Sequence, residues 1–141
     1  MGIYPAQLLM TGDLKMWKYH NPNPNGKHIG DCTIRAISTA LNKDWESVFM
    51  ALSVQGFLMA DMPSANAVTT AYLKNNGFRR RTIPDNCPDC YTIEDFCKDH
   101  PKGTFVIGTG SHLTTVIDGT LWDSWDSRNE TPVYYFEKSE D

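Results

Sequence analysis

The stretch Gly30-Asp31-Cys32-Thr33-Ile34-Arg35-Ala36-Ile37 decides how this chain is read. Ile34, Ile37 and Leu41 recur at helical spacing with Ala36 and Ala40 beside them, which predicts a helix from Cys32 to Leu41. Asp31 just before it is a favourable N-cap, because a carboxylate accepts a backbone N–H left unpaired at a helix start. Gly30 lets the chain turn in tightly. Cys32 then occupies the first turn, at the positive end of the helix dipole, where thiolate is favoured over thiol. A cysteine so placed is either a nucleophile or a small buried hydrophobe.

Upstream lies Asn21-Pro22-Asn23-Pro24-Asn25-Gly26-Lys27. Alternating Asn and Pro forbids helix and Asn-Gly favours a turn, so this is an ordered polar loop. Before it, residues 1–20 read as an extension, with one helical turn over Pro5 to Met10 and with Leu14, Trp17 and Tyr19 packing onto the domain. Downstream, Asn42-Lys43 breaks the first helix. Asp44 caps a second, with Trp45, Val48, Phe49 and Leu52 on one face, a weak point at Gly56 and an end near Met59. Pro63-Ser64 starts a third, stopped by Gly77. Phe78 to Ile83 reads as a strand with an exposed face. Thr92 caps a short helix, with Glu94 and Asp95 in its first turn. Four runs rich in β-formers follow: Thr104–Thr109, His112–Ile117, Thr120–Trp125 and Pro132–Glu137. The order predicts one α+β domain over residues 1–141, N-terminal helices packed on a C-terminal twisted antiparallel sheet.

The totals exclude several classes. A chain of 141 residues supports one domain with a real core. Hydrophobic residues at 40% and charged residues at 21% are a globular balance. Net charge is −4 and basic residues cluster only at Arg79-Arg80-Arg81, so no nucleic-acid partner is expected. No apolar run approaches a membrane span, and no basic start with an apolar core opens the chain. The expected setting is cytoplasmic and reducing. There the four cysteines are catalytic, metal-binding or buried rather than paired in disulfides.

A cysteine nucleophile needs a base and a group to orient it. In the sheet half the base is His112, after Gly108-Thr109-Gly110-Ser111. Asp118-Gly119 is a strong two-residue hairpin signal. With that turn Ile117 faces Thr120 and Thr114 faces Asp123. His112, Thr114 and Val116 then share a face with Leu121, Asp123 and Trp125. Asp123 is a diagonal neighbour of His112, within side-chain reach, while Asp126 falls on the opposite face.

Cys at the start of a helix, His opening a late strand and Asp123-Ser124-Trp125 closing the next strand resemble the papain-like cysteine peptidases. In papain the corresponding triplet is Asn-Ser-Trp. The Gly-Asp-Cys and Trp-Asp-Ser-Trp-Asp-Ser segments also resemble small uncharacterised papain-like proteins of phages and prophages of Gram-positive bacteria. The resemblance covers roughly Asn21 to Leu41 and Thr104 to Tyr135. It implies a papain-like fold, with Cys32 as nucleophile, His112 as general base and acid, and Asp123 fixing the imidazole. Trp125 would shield the His–Asp bond. It implies a cysteine peptidase acting on a protein or peptide in a bacterial or phage-infected cell, with no catalytic cofactor. A triad-based amidase, deamidase or acyltransferase, and a non-catalytic binding module, are the alternatives. One departure is the missing Gln that usually completes the oxyanion hole before the cysteine. Asn25 is the favoured substitute, ahead of Asn23 and Lys27, beside the backbone N–H of Cys32.

Cys87, Cys90, Cys97 and His100 form a C-x2-C-x6-C-x2-H pattern, a candidate for a structural zinc ion. The same spacing also fits a buried stripe of Ile93, Phe96 and Cys97, with His100 at the helix C-terminus. His20 and His28 are expected in solvent and Trp122 in the core.

Overall fold

The hairpin around Asp118-Gly119 forms part of the central sheet. In this computed structural model, which describes residues 16–84 and 91–139, strands β4 (Leu113–Ile117) and β5 (Thr120–Asp123) flank the turn. Asp118 and Gly119 have φ of 49° and 79°, the paired left-handed conformations that match a tight turn to strand twist. Thr115 therefore faces Trp122, Val116 faces Leu121 and Ile117 faces Thr120. This is the register that the two-residue turn dictates.

On the other side of β4 lies β3 (Thr104–Gly108), then β6 (Tyr134–Lys138), then β2 (Phe78–Thr82), all antiparallel to their neighbours. The remaining strand, β1 (Trp17–Tyr19), runs parallel to β5 at the opposite edge. The sheet is thus mixed, with order β1-β5-β4-β3-β6-β2, and the all-antiparallel expectation is corrected. A parallel partner has no connecting turn to announce it in the local sequence. The expected turn over Pro5 to Met10, and Leu14, lie outside the described residues.

Alternation along the strands divides the core in two. Helices α1 (Cys32–Leu41), α2 (Trp45–Met59) and α3 (Asn66–Asn75) cover one face. Ile37, Val48, Leu52 and Leu73 meet Phe78, Val106, Leu113 and Phe136 there. The short helix α4 (Ile93–Asp99) covers the other face, where Ile93, Phe96 and Cys97 pack on Phe105, Ile107, Val116 and Leu121. The architecture is α+β in three layers. No helix among the described residues is long and apolar enough to cross a membrane.

Helix ends follow side-chain chemistry. The Asp44 carboxylate accepts the Ser47 N–H at 2.7 Å, and Thr92 and Asp95 form a reciprocal capping box. Asn42 ends α1 in the left-handed conformation, φ 55°. Helix α3 starts at Asn66 rather than Pro63-Ser64. Gly56 is no weak point: a Cβ there would lie 2.7 Å from the Asp61 carbonyl oxygen, so its bareness lets the chain fold back across α2.

Because α4 owes its place to burial of Phe96, Phe96→Ala should cost about 3–5 kcal/mol, read as a lower urea midpoint at unchanged slope. A loss under about 1 kcal/mol would mean that α4 is not docked on this face.

Candidate active site

The helix start and the beginning of β4 meet at one end of the sheet. His112 immediately precedes β4, and the Thr109 N–H closes the preceding loop by donating to the His112 carbonyl at 2.9 Å. The His112 Nε2 lies 2.7 Å from Asp123 Oδ2. The same ring interacts with the Cys32 side chain. With Nε2 committed to Asp123, Nδ1 is the nitrogen that serves the sulfur. The backbone N–H of Leu113 also favours the ionised form of that sulfur. Cys32 is half-buried, whereas the side chains of His112 and Asp123 are 9% and 3% exposed.

Asp123 is held from several directions. Its Oδ2 also accepts the buried Ser127 hydroxyl at 2.9 Å, and its Oδ1 accepts the Ser124 N–H at 2.7 Å. The Arg35 Nη2 stands 3.8 Å from Oδ1. Asp126 is turned away and pairs with Arg128 through two contacts of 2.8 Å.

Asp31 occupies the N-cap position but its side chain caps nothing. Its carboxylate instead pairs with Arg35 one turn on, accepts the Trp45 indole N–H at 2.9 Å and accepts the Asn23 amide at 3.1 Å. The expected side-chain cap is therefore corrected. A buried guanidinium has the stronger claim on the carboxylate, because an unpaired charge in the interior is far costlier than an open N–H at a helix end.

The charges shift the reactive groups in opposite directions. Burial alone would raise the Cys32 thiol. The His112 and Leu113 hydrogen bonds, with the charges of His112 and Arg35, outweigh it and hold the thiol below its ordinary value. Burial alone would lower His112, but its bonds to Asp123 and Cys32 outweigh that and raise it to about 9. Burial likewise opposes ionisation of Asp123. The His112 bond leads the contacts that overcome this and keep the carboxyl below the usual range. The arrangement favours a thiolate beside an imidazolium. Such a pair can attack a carbonyl carbon and deliver a proton to the departing group.

Trp125 packs against His112, ring centroids 4.9 Å apart, and is itself 43% exposed. Asn25 sits exposed in the loop, its backbone N–H bonded to Asn23 Oδ1 at 2.9 Å, and among the described residues no hydrogen bond ties its side chain to Cys32 or His112. Asn23 is the buried amide of this loop and is spent on holding the turn and Asp31. Cys87 and Cys90 lie outside the described residues. Cys97 is buried in the second core and its thiol is pushed up to about 12, chiefly by burial. His100 stacks on Phe96 at 3.8 Å with Nδ1 2.9 Å from the Phe96 carbonyl oxygen. His20 is half-buried against the edge of Trp122 rather than solvated.

Three participants escaped the sequence reading: Arg35, Ser127 and the Leu113 N–H. Arg35 left one trace, an Asp31-Arg35 pair one helical turn apart. No protein-family model, curated protein or solved structure matches this chain.

Removing Arg35 strands two buried carboxylates. Arg35→Met should destabilise the fold by about 3–5 kcal/mol in urea unfolding. Adding Asp31→Asn should recover part of that loss, a coupling of about 1–3 kcal/mol. Strict additivity would show that the pair is not a linked buried unit.

Proposed function

We propose that this protein is a papain-like cysteine hydrolase that cleaves a peptide or amide bond through an acyl-enzyme. The observation that carries the reading is the line Cys32–His112–Asp123, in which the imidazole meets the carboxylate through Nε2 and interacts with the Cys32 side chain. The opposite displacements of the Cys32 and His112 ionisations support it, since a nucleophile and its proton donor need to coexist as an ion pair.

The Cys32 thiolate attacks the carbonyl carbon, and the carbonyl electron pair moves to oxygen. The backbone N–H groups of the first α1 turn face that oxyanion. The Asp31 side chain does not cap them. As the intermediate collapses, the C–N bond breaks and the His112 imidazolium protonates the leaving amine. Neutral His112 then takes a proton from water, whose oxygen attacks the thioester carbonyl and expels the Cys32 thiolate. Asp123 holds the imidazole in one tautomer and stabilises its charge.

Iodoacetamide should alkylate Cys32 at neutral pH well ahead of Cys97, and His112→Ala should slow Cys32 by about tenfold or more, as mapped by mass spectrometry. Slow labelling of Cys32 that ignores His112 would instead favour a non-catalytic module. Turnover requires thiolate and imidazolium together. The rate against pH should therefore rise as Cys32 ionises, below the ordinary thiol value, and fall through about 9 as His112 loses its proton. A rate that keeps climbing well above that alkaline limb would contradict this assignment.

A further inference from the structure

A groove of about 480 Å³ runs along α3. Asn66, Thr70 and Lys74 line it at one-turn intervals, and Arg80 and Tyr134 wall it from the sheet. Asn66 to Lys74 spans about 12 Å of helix, enough for three or four extended residues at about 3.3 Å each. No carboxylate lines the groove. Both of its cations are exposed, and neither is ion-paired among the described residues. The adjacent Arg81 is by contrast spent on Glu137 at 2.7 Å. The Arg80 guanidinium lies 4.3 Å over the Tyr134 ring, which fixes its plane and leaves its N–H fork unclaimed. On a chain of net charge −4, this is a local reversal of sign.

Tyr134 connects the groove to the nucleophile. Its ring lies over Gly108, where a Cβ would come within 2.2 Å of it, so that glycine admits the ring. Tyr134 and Cys32 pack against the same core cluster. The Tyr134 hydroxyl is raised chiefly by burial and, in smaller part, by the charge of Cys32. Tyr134 pairs with Gly108, and Gly108 pairs with Leu113, the residue after His112, so the sheet wall of the groove stands two strands from the site.

We infer that the substrate is a polypeptide bearing an acidic side chain within a few residues of the scissile amide, held by Arg80 and Lys74 in this groove. The inference rests on the acyl-transfer reading of Cys32 and adds its substrate class. Two cations suit one or two carboxylates. A nucleic-acid backbone demands a longer basic track.

The test uses epoxysuccinyl peptides extended from either arm, in pairs that differ only by Glu or Gln at one position, with the rate of Cys32 labelling as readout. At one or more positions the Glu probe should react about three- to tenfold faster. The ratio should fall toward unity at high salt and in Arg80→Gln/Lys74→Gln. It should persist in Arg79→Gln, whose side chain alternates to the other face of β2. A ratio of one at every position, with Cys32 still rapidly alkylated by iodoacetamide in a His112-dependent way, overturns the acidic substrate and spares the thiolate reading. A Glu preference untouched by the double variant also overturns it. So does protection of Cys32 by a single-stranded oligonucleotide without any Glu preference. Slow, His112-independent alkylation sinks both readings.

Discussion

The buried guanidinium of Arg35 is the constraint on which the rest of this structure depends. A charge taken out of water is tolerated only where opposite charges and hydrogen bonds meet it. Arg35 meets Asp31 on one side and Asp123 at 3.8 Å on the other. Asp31 ties in the Asn23 loop and Trp45 of α2, and Asp123 ties in the end of β5 and His112. One side chain thus fastens the loop before the cysteine, two helices and the end of the hairpin to each other. The charges alternate along this line from Asp31 through Arg35, Asp123 and His112 to Cys32. Within it, His112 and Arg35 favour the thiolate of Cys32, and Asp123 and Cys32 favour the imidazolium of His112.

The same constraint explains the odd behaviour of the α1 start. Asp31 stands where a capping residue belongs and does not cap. The first-turn N–H groups take no bond from its side chain, at the positive end of the helix that Cys32 begins. A structural preference is given up there, because the carboxylate is committed to Arg35, Trp45 and Asn23. Tyr134 lies over Gly108, with the Arg80 guanidinium 4.3 Å over its ring.

Much of the scaffold was legible from local chemistry. Cys32–Leu41 and Trp45–Met59 announce themselves by periodicity and by Asn42 and Asp44 at their junction, and Asp118-Gly119 dictates a register that aligns Asp123 with His112. What stayed hidden is non-local. The three residues of β1 pair in parallel with a strand far along the chain, and nothing in Trp17–Tyr19 says so. The apolar stripe of α4 would serve either face of the sheet. Arg35 carries no local sign of burial, since charged residues are rarely buried, and only the tertiary meeting of two carboxylates accounts for its place. The same meeting takes Asp31 away from its cap.

The measurement closest to the central claim is the protonation state of the His112 ring, followed by nitrogen NMR across pH in the wild type and in Cys32→Ser. The account predicts an imidazolium at neutral pH, both nitrogens protonated, that titrates near 9 and becomes easier to deprotonate when the thiolate is removed. A neutral His112 at neutral pH, titrating near the ordinary value of about 6.5 and indifferent to Cys32→Ser, would contradict it.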